Sequence, residues 1–314
     1  MNSESLNSQL LKKQATSLGF SACGITQARP VDDKTARCYR EWIAAGRHAD
    51  MQYLANNIDK RLDPTLLVSE ARSIVVVATN YAPAQRIPDS EYQIAAYAYG
   101  QDYHDVVKQR LRQLVQSSPV LTQSAFKICV DTVPMLERYW AQQAGLGFIG
   151  RSHQLIIPRA GSMFFLGEIV TSAVFDSYDE PMPCHCGTCH QCVDACPTGA
   201  LSLDERLGTS FNSHRCLSYQ TIENRDKIDE QIADKMGLNI YGCDRCQLVC
   251  PWNRFARPTE ITEFRPQEEL LMMRRKDWHR LDIDHYRALF KGSAVKRAKY
   301  DGLMRNINIV REHE

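Results

Sequence analysis

No stretch of this 314-residue chain carries the run of about 20 apolar residues that spans a bilayer, so the sequence offers no membrane span. The N-terminal segment MNSESLNSQLLKKQATSLGF has neither a continuous apolar centre nor a twin-arginine pair, and does not read as an export signal. Leu6, Leu10, Leu11, Ala15 and Leu18 instead recur at helical spacing, with Gly19 as the stop. These absences point to a cytoplasmic protein. A charge excess is missing too: 38 Lys and Arg against 37 Asp and Glu leave +1, which excludes a chain that is basic throughout. No G-x-G-x-x-G follows a predicted strand, and there is no P-loop. Nothing repeats along the chain except one cysteine motif.

Cysteine is what the sequence has in excess. Nine of the twelve cysteines fall between Cys184 and Cys250. Disulfides rarely persist in a reducing cytosol, so clustering of this kind points to metal. Cys186, Cys189, Cys192 and Cys196 form C-x2-C-x2-C-x3-C followed by Pro197. Cys243, Cys246 and Cys250 form C-x2-C-x3-C followed by Pro251, with Cys216 upstream. This is the two-cluster ferredoxin pattern, in which the last cysteine of each run ligates the other cluster. One [4Fe–4S] cluster is assigned to Cys186, Cys189, Cys192 and Cys250. The second takes Cys196, Cys216, Cys243 and Cys246, with Cys216 replacing the missing first cysteine of its run. Zinc is the competing reading, since four-cysteine zinc sites also use C-x2-C pairs. It does not call for seven spaced cysteines with proline after both runs. Cys184 does not fit the spacing, and Cys23, Cys38 and Cys129 sit in apolar surroundings as small core residues.

The rest of the chain divides by pattern. Residues 1–175 read as α/β or α+β. Apolar, β-branched runs at 73–81 and 126–134 predict strands, as do HQLIIP and SMFFLGEIVTSAV. Val106, Val107, Leu111, Leu114 and Val115 share one face of a helix over 103–116. MLERYWAQQAG (135–145) predicts a helix entered from Pro134 and ended by Gly145, followed by the glycine-rich loop GLGFIGRS. Residues 176–258 lose the long periodic runs and form a small metal-organised module. Residues 259–314 return to helical spacing, with six Lys or Arg against one acid between Arg287 and Arg305.

Two clusters imply one-electron transfer, either by a carrier or by an enzyme whose clusters feed a second cofactor. A bare carrier needs only a fraction of this length, which favours the enzyme. Asp131 ends a predicted strand, where side chains open into clefts, although an Asp before a proline-started helix is also an ordinary cap. Glu137 and Arg138 on that helix read as a surface pair. Asp102-Tyr103-His104 begins a cobalamin-type Asp-x-His-x-x-Gly motif, but Val107 stands where glycine is required. His185 and His190 lie among the cysteines and suit hydrogen bonds to cluster sulfur.

With these pieces together, the chain resembles epoxyqueuosine reductase, the cobalamin-dependent iron–sulfur family of queuosine tRNA modification. The resemblance rests on VDTVPMLERYWAQQAGLGFIGRS, GSMFFLGEI, CGTCHQCVDACPTGAL, RCLSYQTIE, YGCDRCQLVCPWN and FKGSAVKRAKYDGLMRN, with a weaker match at KRLDP. It implies three parts: a cobalamin-binding catalytic α/β domain (1–175), a ferredoxin-like domain with two [4Fe–4S] clusters (176–258) and a helical basic segment contacting tRNA (259–314). It implies reduction of the epoxide of epoxyqueuosine at the tRNA wobble position to an alkene, with Asp131 as proton donor. The expected carboxyl is one whose pKa is raised by burial beside the corrin. The resemblance also places Arg61, Tyr103, His104, Arg151, Ser152, Ser218 and Asp244 near cobalamin, and Lys296 and Arg297 on tRNA phosphates. Arg151 and Ser152 stand where many members have Lys and Asn. A low-potential electron donor of unknown identity is implied, and a monomer is expected. Reductive dehalogenases, which share this cofactor set, are the runner-up. They typically carry an export signal and a tyrosine donor. A non-catalytic electron-transfer protein is the third reading.

Overall fold

The computed structural model describes residues 7–204 and 210–313. Leu6, placed above on the first helical face, lies outside them. The first helix, α1 (Ser8–Ser17), is capped by the Asn7 side chain, which accepts the Leu10 N–H, and Leu11 and Ala15 are its buried stripe. Gly19 then turns the chain at φ +87°, a conformation that favours glycine. A four-stranded antiparallel sheet follows, made of β1 (Ala22–Gln27), β2 (Ser73–Asn80), β3 (Phe126–Cys129) and β4 (Phe164–Thr171) in the order β1-β2-β4-β3. The predicted strand at 126–134 is therefore cut short at Cys129. Strand β1 has no long apolar run and went unpredicted.

Strand β2 is buried on both faces, and its central run Ile-Val-Val-Val-Ala is apolar on both sides. Val75 and Val77 face one layer together with α1 and with α2 (Tyr103–Gln116), whose Val107, Leu111 and Leu114 are fully buried. Ile74, Val76 and Ala78 face the other layer, against α3 (Glu137–Gln143) with its buried Tyr139, Trp140 and Ala141. Strand β1 approaches α3 so closely that a Cβ on Gly24 would lie 1.9 Å from the Ala144 carbonyl oxygen, so only glycine fits there.

The three sequence segments share one core. Residues from Leu11 to Val310 belong to a single apolar cluster. Two networks hold the cysteine module in place, one against the sheet domain and one against the C-terminal helix. Asn253 Oδ1 accepts the Ser162 N–H (2.7 Å) while its Nδ2 donates to the Gln247 carbonyl, and Gln247 in turn donates to Tyr81 and Ser162. At the other end, helix α4 (Leu217–Ile222) is held by the C-terminal helix α5 (Lys299–Glu312). Fully buried Asn306 donates to the Thr221 and Ile240 carbonyls, and Arg305 donates to the Gln220 and Asn224 carbonyls. Among the described residues no helix is long and apolar enough to cross a membrane.

Candidate active site and cysteine module

Asp131 lies in the loop after β3, two residues beyond Cys129, at φ +55°. Left-handed backbone costs a non-glycine residue energy, although Asp tolerates it better than most, and three neighbours hold it there. Glu137 Oε1 accepts the Asp131 backbone N–H at 2.5 Å. Tyr103 donates its hydroxyl to Asp131 Oδ2 in a short hydrogen bond. His104 Nε2 lies 3.5 Å from the same oxygen, and its Nδ1 sits 2.7 Å from Asp102. Tyr103 is fixed by stacking between His104 and Phe165. The Asp131 side chain remains 56% exposed, so one side of the carboxyl faces an open cleft.

The electrostatics differ from the expected raised Asp131 pKa. The protein around Asp131 raises its pKa, but hydrogen bonds from His104 and Tyr103 outweigh this and hold the carboxyl below the usual range. The protons reside on its neighbours. Burial lowers the His104 pKa, yet Asp102 and Asp131 more than compensate and push it up to about 9. Burial, then the Asp131 charge, pushes Glu137 up to about 8. Glu137 is thus a half-buried ligand of the Asp131 backbone rather than one member of a surface pair. Arg138 is exposed, and its charge reaches Asp131, Glu137, Cys216 and His153. Arg138 therefore stands within reach of both Asp131 and the second cysteine set.

The cysteines fall into two groups of four. Cys186, Cys189, Cys192 and Cys250 line one cavity of about 280 Å³ with Arg151, Ser152, Trp252 and Arg254. Cys196, Cys243 and Cys246 each lie within electrostatic reach of Cys216, and Cys246 also reaches Cys192, so the two groups adjoin. A single zinc draws its ligands to about 2.3 Å from one centre. Among the described residues no three Cys, His, Asp or Glu side chains converge in that way. A four-iron cube, which spreads its thiolates around a larger body, suits the cavity. The backbone N–H groups of Ser218 and Tyr219, at the start of α4, hydrogen-bond the Cys216 sulfur, and Ala200 N–H donates to Cys196 Sγ at 3.3 Å. Such donors stabilise thiolate.

The remaining candidates are distributed as follows. Arg151 donates to the Gly187 and Cys189 carbonyls (2.7 and 2.9 Å), and with Ser152 it borders the first cysteine cavity instead of the Asp131 cleft. A Cβ on Gly150 would come within 2.6 Å of Ile156 and 3.4 Å of Cys186 Sγ, so this loop sits directly against the cysteines. Arg61 is buried, with its terminal nitrogens on the Met135 and Tyr53 carbonyls. It braces the loop that carries Asp131 and does not reach outward. Asp244 is buried, pairs with Arg86 at 2.7 Å and accepts the Ala96 N–H. His190 pairs with Asp194, and His185 packs edge-on against Phe148. Lys296 is exposed. Arg297 forms a two-pronged pair with Glu223 and lies 5.9 Å from the Tyr53 ring centroid. The Tyr53 hydroxyl is within electrostatic reach of Asp131, which puts this basic pair on the rim of the Asp131 cleft.

Two participants went unread in the sequence, Tyr53 and Glu168, and Arg138 was read only as half of a surface pair. Glu168 had a signal. It alternates with Leu166 and Val170 along β4, a charge at an inward position of an apolar strand.

The family model for a 4Fe-4S double cluster binding domain matches residues 185–253, and the model described as epoxyqueuosine reductase QueG, DUF1730 matches residues 61–132. A crystal structure of epoxyqueuosine reductase with an epoxyqueuosine-modified tRNA-Tyr stem loop superimposes with a TM-score of 0.86, at 28% identity, over 97% of this chain and 80% of that one. A Bacillus subtilis epoxyqueuosine reductase, solved with its catalytic aspartate loop swung out of the active site, gives 0.84 at 27% identity over 97% and 81%. The epoxyqueuosine reductase of Cellulophaga algicola is 39% identical over 99% of this chain and 100% of its own length. With that identity along essentially its whole length, the chain belongs to the epoxyqueuosine reductase family.

Proposed function

We propose that this chain reduces the oxirane of epoxyqueuosine, at the wobble position of a tRNA, to the alkene of queuosine. Two electrons and two protons enter, both oxirane C–O bonds break, and the oxygen leaves as water. One observation carries the reading: a carboxyl ordered by Tyr103, His104 and Glu137 stays open on one side and shares the Arg138 charge with Cys216 of the second cysteine quartet. Unprotonated, the oxirane oxygen would leave as alkoxide or hydroxide, both poor leaving groups, so a positioned acid is required. Asp131 serves as that acid. Its proton arrives from the groups around it, because its own carboxyl is held low.

The cysteine quartets hold two [4Fe–4S] clusters in the crossed arrangement given above. Their adjacency gives a path from the first quartet to the second and on toward Asp131. Cobalamin would be held between the proton donor and the second quartet, since Arg138 lies within reach of both Asp131 and Cys216. When bound there, it would supply a cobalt centre capable of one- and two-electron chemistry at carbon. Tyr103 and His104 orient Asp131 toward it, and Ser218 and Asp244 flank the second cluster. Arg61 steadies the Asp131 loop from behind, and Arg151 and Ser152 enclose the first cluster. Lys296 and Arg297 meet phosphates of the anticodon arm, where a local basic patch is enough for a reader of one loop nucleotide. In this division of labour 1–175 carries the chemistry, 176–258 the electrons and 259–314 the RNA contact. The protein acts as a cytoplasmic monomer fed by a low-potential donor.

The test is reduction of an epoxyqueuosine-bearing stem loop by the anaerobically reconstituted protein, read by nucleoside mass spectrometry. Conversion to queuosine that requires both clusters and cobalamin supports the reading. No conversion with full cofactor content overturns it.

A further inference from the structure

Glu168 is the one carboxylate that sits in the middle of the sheet. It lies on β4 directly between Val76 of β2 and Cys129 of β3, facing the apolar layer covered by Tyr139, Trp140 and Ala141 of α3. It is 0% exposed, and neither carboxyl oxygen has a hydrogen-bond partner. Burying an unpaired charge there would cost far more than burying the Val or Leu that would complete the layer. The site must therefore hold a neutral acid.

Its surroundings connect it to Asp131. Cys129, its neighbour in the sheet, precedes Asp131 by two residues, and Glu137 opens the helix that covers Glu168 and also grips the Asp131 N–H. The groups that act on Glu168 are Glu137 and Asp131. Those that act on Glu137 are Asp131, Arg138 and His104. Three carboxyls within mutual reach cannot all ionise. Burial first, then Glu137 and Asp131, raise the Glu168 pKa well above the usual range.

We propose that Glu168 and Glu137 form a two-proton reserve behind Asp131, matched to the two protons that the reaction consumes. The proposal rests on the functional reading above. Glu137 gives its proton to the Asp131 carboxylate, which passes it to the oxirane oxygen. Glu168 then replaces the proton on Glu137 for a second delivery by the same route, and solvent refills both acids after product leaves. In the resting state Glu168 holds its proton because no acceptor touches it, and ionisation of Glu137 supplies the pull.

The test compares the cluster-loaded wild type with Glu168→Gln and Glu168→Leu. Infrared spectra at neutral pH in H2O and D2O should contain a protonated-carboxyl C=O stretch that both variants lose. Both, with unchanged iron content, should slow single-turnover reduction about tenfold or more and move the alkaline limb of its pH profile. Absence of the band from the wild type overturns the proposal. So does loss of the band with rate and pH profile unchanged, which would make Glu168 a packing residue. If the wild type reduces no epoxyqueuosine at all, the functional reading fails, and the band still decides whether Glu168 carries a proton.

Discussion

Replacing Glu137 by Gln keeps an oxygen acceptor for the Asp131 N–H but removes an acid. Glu137 rises from 4.5 to about 8 in the folded chain. Between those values the folded protein holds a proton that the unfolded chain has released, so stability falls as pH rises. One such proton gives a slope of about 1.4 kcal/mol per pH unit. His104, raised from 6.5 to about 9, adds a loss of the same sign over its own range, and Glu168 adds another. Both groups remain in the variant, so variant minus wild type isolates Glu137, apart from the relief its lost charge gives Glu168. From pH 5 to pH 8 the variant should gain on the order of 3–4 kcal/mol relative to wild type. At about 2.1 cal/mol/K per residue, 1 kcal/mol shifts the melting temperature of a chain this long by about 1.5 °C. The difference in melting temperature between variant and wild type should therefore widen by about 5 °C from pH 5 to pH 8, measured anaerobically with clusters intact. A difference that stays constant with pH would refute the assignment of a buried neutral acid at Glu137.

Three further outcomes are expected. Asp131→Asn should retain cofactor and RNA binding while its single-turnover rate falls about 10²–10⁴-fold, and a wild-type-like rate would remove Asp131 from the chemistry. Lys296→Glu combined with Arg297→Glu should weaken binding of the stem loop and flatten its salt dependence by about two phosphate contacts. Unchanged affinity in a filter-binding or anisotropy assay would place the RNA elsewhere. Cys216→Ser should lower iron from about eight to about four per chain by removing the second cluster, and full iron content with an unaltered spectrum would take Cys216 out of the ligand set.

Much of the fold was legible because periodicity and burial coincide in it. The apolar β2 run and the Val107–Leu111–Leu114 face of α2 appear where the sequence puts them. The cysteine spacing was readable because wrapping one cube fixes local intervals. What escaped was set by contacts between distant segments. Strand β1 is made a strand by pairing with β2, not by its own composition. Glu137 looked like a surface residue because a helical pattern does not reveal that the preceding loop folds back onto it. The proton inventory of Asp131 was misjudged for the same reason: burial was foreseen, but the hydrogen bonds from Tyr103 and His104 that outweigh it come from another helix. Arg305 counted toward the basic cluster, yet it is spent on the carbonyls of Gln220 and Asn224.

The central claim is tested most directly by the nucleosides of tRNA from cells lacking this gene, analysed by mass spectrometry with and without complementation. Epoxyqueuosine should accumulate at the wobble position and return to queuosine with the wild-type gene, but not with Asp131→Asn. Normal queuosine in the deletion strain would contradict the account.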